Sequence, residues 1–179
     1  MPWQACELRM ILRALKAVLA AIDATSRFAG VVAMGLFFLL LGLLTYGVIS
    51  NAIFNSPAIW LMEMAQFTMA AYYVVGGGYT LQQGAHVRMD LLYGRWTPRV
   101  RSGVDVFTGL FLMFFLGVLV WGGVQSSMYA LQYNQKNYSS WSPPLAPIKI
   151  IVTAGMFLML LQAFALWVRD VAQALGKKI

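Results

Sequence analysis

The sequence predicts an all-α integral membrane protein with four transmembrane helices, an N-terminal amphipathic helix lying in the interface, and both termini in the cytoplasm. Three observations predict it. The 179 residues are 60% hydrophobic and only 11% charged, with a mean hydropathy of +0.70. Soluble domains average about 45–50% apolar and about 25% charged. Four apolar runs are each long enough for the ~20 residues that a ~30 Å hydrocarbon core requires. The basic residues collect in alternate connections between those runs, which orients the chain. Four spans use up the length, so the chain reads as a single membrane domain.

Residues 6–24 come first. Leu8, Ile11, Leu12, Leu15, Val18, Leu19 and Ile22 recur at helical spacing, with Arg9, Arg13 and Lys16 on the other side. That pattern suits a helix in the headgroup plane, with Trp3 as an interfacial anchor. Packing on a partner, or continuation into a long first span, would use the same pattern. The early charges break up any signal-peptide core, so no cleaved leader is expected.

Span 1 is expected over 28–53, which carries no charge. Asn55-Ser56-Pro57 then turns the chain, with Ser56 as N-cap and Pro57 as the first residue of the next helix. Span 2 is expected over 57–82, span 3 over 104–131 and span 4 over 147–168. The connection after span 2 is polar and basic, the one after span 3 polar, aromatic and rich in proline. With the N-terminus inside, the cytoplasmic side holds Arg9, Arg13, Lys16, Arg27, Arg88, Arg95, Arg99, Arg101, Arg169, Lys177 and Lys178. Only Lys136 and Lys149 remain outside. The net charge of +7 is therefore read as orientation and attraction to phospholipid, not nucleic-acid binding.

Few residues could carry chemistry. The chain has one cysteine, Cys6, and one histidine, His86. A disulfide within the chain and a His/Cys metal cluster are excluded. It lacks a phosphate loop, a zinc-protease helix and a nucleophile triad. No catalytic role and no cofactor are expected. Glu63 is the most informative charge, because a carboxylate about two turns into a span is costly. It reads either as an ion relay or as a polar link to another subunit or to headgroups. His86, Arg88 and Asp90 alternate. In an extended segment they would share one side, with Arg88 able to fork onto a phosphate or carboxylate. Ordinary positive-inside decoration explains them equally.

Glycines mark helix packing. Gly76-Gly77-Gly78 allows close approach or a break. Gly35 and Gly42 share a face, as do Gly109 and Gly117, and Gly122-Gly123 is a possible kink. Trp60, Trp96, Trp141, Trp167, Tyr46, Tyr93 and Tyr138 fall near the span ends, as an aromatic belt would.

Several of these elements together resemble a known family. Trp60-Leu61-Met62-Glu63 matches a W-x-x-E pattern early in a second span. Gly84-Ala85-His86-Val87-Arg88-Met89-Asp90 matches a G-x-H-[IV]-R-[VM]-D signature. Trp141-Ser142-Pro143-Pro144, Pro147, Lys149 and Gly155 to Gln162 resemble a P-x-W-x-x-K and G-x-x-L-x-x-L-Q ending. Ala146-Pro147-Ile148 stands where that ending usually has a tryptophan before its lysine. Over about residues 27–170 the chain resembles the small, DctQ-like membrane subunit of tripartite ATP-independent periplasmic (TRAP) transporters. The resemblance implies a non-catalytic scaffold for a large multi-span permease subunit in a bacterial inner membrane. A periplasmic substrate-binding protein would deliver an organic acid, and sodium would be the coupling ion, held by the partner. Trp60, Glu63, His86, Arg88, Asp90, Arg95 and Lys149 become the residues expected to contact partner or lipid. A small subunit of another tripartite uptake system, or a four-span assembly scaffold without transport, are the alternatives. With a short basic tail ending at Ile179, the partner is expected to be a separate chain.

Overall fold

The computed structural model describes residues 2–55, 58–84 and 98–174, with side chains at 13, 15–55, 58–84 and 103–172. An uninterrupted apolar backbone in lipid must satisfy its own N–H and C=O groups, and the helix does so within one segment. Four helices result: α1 (Pro2–Phe54), α2 (Ile59–Gln82), α3 (Pro98–Gln132) and α4 (Ala146–Ala174). Three candidate spans, Leu15–Phe54, Gly103–Gln132 and Ala146–Ala172, are long and apolar enough to cross a membrane. The 24 residues of α2 reach about 36 Å, but Glu63, Gln66 and the glycine run keep it below that hydropathy.

The main departure from the sequence reading is α1. A boundary was expected between residues 24 and 28, dividing an interfacial helix from the first span. Instead one helix of 53 residues, about 80 Å long, runs through both. The reason is local. Ala24 to Ala29 contains no proline or glycine, and Asp23 and Arg27 are one turn apart, a pairing that supports a helix. Thr25 donates back to the Ala21 carbonyl at 2.9 Å, and Ser26 uses its hydroxyl for another helix. Gly122 and Gly123 likewise lie inside an unbroken α3.

The ends follow turn chemistry. Asn55 (φ 48°) closes α1 and Asn134 (φ 46°) follows α3, each in the left-handed region that asparagine tolerates. The expected cap at Ser56 and Pro57 lies outside the described residues. The helix begins at Ile59, after an extended Ala58 without a side-chain cap.

Close contacts at glycines fix the helix directions. Gly30 lies against Tyr79 and Gly47 against Leu61, so α1 and α2 are antiparallel. Gly77 lies against Met159 and Gly155 against Val74, so α2 and α4 are parallel. Gly109 lies against Trp167 and Gly123 against Thr153, so α3 and α4 are antiparallel. The helices form a single layer in the order α1, α2, α4, α3, and α1 also meets α4 lightly. The start of α1 and the end of α4 therefore share one end of the layer. The α1–α2 and α3–α4 connections share the other.

The core is built from small residues: Ala29, Ala33, Ala71, Ala130, Ala163, Ala165 and Ala172 are buried, with Leu19, Leu81 and Leu116. Lipid is as apolar as leucine, so membrane helices associate by close backbone approach rather than by hiding large side chains. Large side chains such as Phe28, Phe38 and Ile53 on α1 and Phe114 and Trp121 on α3 are accordingly exposed.

Candidate functional site

The densest polar arrangement among the described residues joins α1 to α4. Gln162, in the middle of the apolar α4, is fully buried, and so is Ser26. Ser26 Oγ donates to Gln162 Oε1 at 2.8 Å. Gln162 Nε2 donates to Asp23 Oδ1 at 3.1 Å. Arg169 donates to Asp23 Oδ2 at 2.5 Å, with the two side chains 30% and 16% exposed. Asp23 and Ser26 are three residues apart on α1, and Gln162 and Arg169 seven apart on α4. Each pair therefore lies along one helix face. The chain of bonds runs from a buried hydroxyl to a half-exposed guanidinium, so its charge sits at the wetter end.

Two further links join α3 to α4. Trp167 Nε1–H donates to the Val106 carbonyl at 3.0 Å. The Ser127 and Thr153 hydroxyls lie 3.0 Å apart, and Thr153 also donates to the Lys149 carbonyl at 2.7 Å. Trp167 was expected in the aromatic belt. Its indole packs over Gly109 and secures α3, because a partly buried indole N–H needs an acceptor.

The α3–α4 connection is an ordered hairpin. Lys136 and Pro144 form an isolated antiparallel bridge, Asn137 N–H donates to the Pro143 carbonyl at 3.0 Å, and Leu145 N–H to the Gln135 carbonyl at 2.9 Å. Lys149 Nζ donates to Gln135 Oε1 at 2.7 Å, fastening the hairpin to the first turn of α4. Tyr129 and Tyr133 stack at 4.5 Å, Tyr138 is fully exposed at the tip, and a recess of about 860 Å³ opens beside them.

The residues singled out in the sequence are not brought to one place. Trp60 is half-exposed, its ring 6.2 Å from Tyr46 on α1. Glu63 is buried, 7% exposed, and its Oε2 has no hydrogen-bond partner among the described residues. Lys149 is committed to Gln135. His86, Arg88, Asp90 and Arg95, with Trp96 and Tyr93, lie outside the described residues. Of the glycine faces, Gly109 is packed, whereas Gly35, Gly42 and Gly117 have open space where a side chain would go. The polar chain of Asp23, Ser26, Gln162 and Arg169 was not anticipated. Its signal was a lone glutamine in an otherwise apolar run. Among the described residues no cluster of three His, Cys, Asp or Glu could hold a metal ion.

A family model described as "Tripartite ATP-independent periplasmic transporters, DctQ component" matches residues 40–173. No curated protein matches the chain. The matched segment begins within α1 and takes in α2, α3 and nearly all of α4.

Proposed function

Since the chain belongs to the DctQ component family of tripartite ATP-independent periplasmic transporters, we propose that it is the static scaffold on which a large permease subunit moves. As a small subunit of such a transporter it works with a large permease and a periplasmic binding protein, the family's general partners. The importer is sodium-coupled and takes up organic acids across a bacterial inner membrane, with solute and sodium held by the large subunit. The observation that carries this reading is the one-helix-thick layer. Its buried polar side chains, from Ser26 to Arg169 and from Ser127 to Thr153, are spent on holding helices to one another. Its broad faces are apolar and uncovered. A part built from fixed cross-links and bare flanks suits a support better than a moving carrier.

All four helices cross the membrane in this reading, and both termini are cytoplasmic. The antiparallel and parallel neighbours alternate as four crossings require, and the basic residues favour the end where α1 starts and α4 finishes. Trp60 and Glu63 then lie near the outer interface, where Glu63 ties α2 within the assembly. His86, Arg88, Asp90 and Arg95 lie on the inner side and hold the large subunit or lipid headgroups, a reading that rests on the sequence alone.

The test is to purify the tagged chain from native membranes in mild detergent and identify what accompanies it. A much larger polytopic membrane protein in equal amount is expected, and deletion of the chain should abolish uptake of an organic acid in sodium-containing medium. Recovery of the chain alone, with uptake intact after deletion, would overturn the proposal.

A further inference from the structure

One face of the α1–α2 pair is not closed. Beside the middle of α1, a recess of about 580 Å³ lies between Gly30 and Phe37 on one side and Tyr73 and Gly76 on the other. A second recess, of about 610 Å³, lies further along, between Leu44 and Met69. The two follow one another along one face. Gly30, Phe37, Leu44 and Asn51 follow at seven-residue intervals, and Met62, Met69 and Gly76 do the same on α2. From Gly30 to Asn51 the groove runs about 32 Å, the thickness of a hydrocarbon core.

The two ends differ in charge. At the Asn51 end the polar groups lining the groove are neutral amides, Asn51 and Gln66. At the Gly30 end stands Arg27, exposed, seven residues before the groove-lining Met34 and so on its face. Asp23, one turn back, attracts Arg27, but its two oxygens already accept from Gln162 and Arg169. On α2, exposed Gln83 donates through Nε2 to the hydroxyl of Tyr79, which lines the recess, at 3.0 Å. A side-chain amide carries a second N–H. An apolar channel of membrane length, with a charged group among the described residues at one mouth only, has the form of a lipid site.

We propose that this groove is a binding site for an anionic phospholipid of the leaflet at the Gly30 end of the groove. An acyl chain lies over the Gly30–Gly76 floor and the phosphate meets Arg27 and Gln83. The cation selects the headgroup. The assignment does not depend on which solute the transporter carries.

The complex is tested after reconstitution into nanodiscs of phosphatidylglycerol with phosphatidylethanolamine, followed by mass spectrometry of the lipids retained on release. Wild type should retain phosphatidylglycerol in preference to phosphatidylethanolamine. Arg27→Gln should lose about fivefold of that retention, Arg27→Lys should restore it, and Met34→Trp, which fills the recess from an exposed position, should remove both lipids. A photoreactive benzoylphenylalanine at Tyr73 should yield a phospholipid adduct. Equal retention of the two lipids by wild type, or retention unchanged in Arg27→Gln and Met34→Trp, would overturn the proposal. So would crosslinking from position 73 to the large subunit, which would mean that a partner helix fills the groove, or no lipid adduct at all.

Discussion

Replacing Gln162 with leucine removes the centre of the polar chain while leaving a side chain of similar size. Two hydrogen bonds go, one from Ser26 and one to Asp23. Ser26 can fall back on a carbonyl of its own helix, four residues earlier, at little cost. Asp23 keeps Arg169 but loses its second donor at the buried end of the pair. Side-chain hydrogen bonds within membranes average about 0.6 kcal/mol and reach about 1.7, so the two together are worth about 1–3 kcal/mol. The pair with Arg169 is partly exposed and adds little of its own. Gln162→Glu should be worse, because it sets a second carboxylate beside Asp23 in a buried position, while Asp23→Asn should be mildest. The assay is equilibrium unfolding in mixed micelles with increasing dodecyl sulfate, followed by tryptophan fluorescence. The expected order of stability is wild type, Asp23→Asn, Gln162→Leu, Gln162→Glu. If Gln162→Leu unfolds at the wild-type midpoint, the polar chain does not hold α1 on α4, and the account of their light contact fails.

Four further outcomes are expected. Gly155→Ala should cost about 1–3 kcal/mol in the same unfolding assay, because its Cβ would stand 2.7 Å from Val74 Cγ1 and 3.1 Å from that residue's backbone carbon. Gly35→Ala, with open space around it, should stabilise the isolated chain by about 1 kcal/mol through helix propensity. Equal effects would refute the packing scheme. Lys149→Met should release Gln135 and raise hydrogen exchange across residues 133–145 without altering α1 or α2, and unchanged protection would show that the hairpin holds without that bond. Glu63→Gln should lower the yield of the complex with the large subunit in pull-downs from native membranes, and full assembly and uptake would remove Glu63 from the proposed contacts.

What the sequence disclosed and what it hid divide along physical lines. Three of the apolar runs, centred near Leu39, Val118 and Met159, emerged as helices that meet the membrane criteria, because span length and hydropathy are local properties. Glu63 was legible as a costly carboxylate, and it is the buried one whose Oε2 lacks a partner among the described residues. The break expected between residues 24 and 28 is absent, because no helix-breaking residue stands there and the helix continues through Arg27. In the fold, Asp23 and Arg27 share a helix turn, and Asp23 pairs with Arg169 across 146 residues of chain. Such pairings leave no periodic trace. The layer order was equally hidden, since it depends on which glycine meets which side chain. Gly35 and Gly42 resemble Gly30 and Gly47 in the sequence, yet only the latter two are packed.

The layer order has a consequence for how the chain is made. Helices leave the ribosome as α1, α2, α3, α4, but they stand as α1, α2, α4, α3. The α1–α2 pair can close as soon as both have been made. When α3 follows, it has no substantial surface to join, because its contacts are with α4. It must wait in the bilayer until the last helix slides between it and α2, docking on both at once. Assembly therefore ends in the middle, and a nascent chain halted before Ala146 would present two finished helices and one adrift.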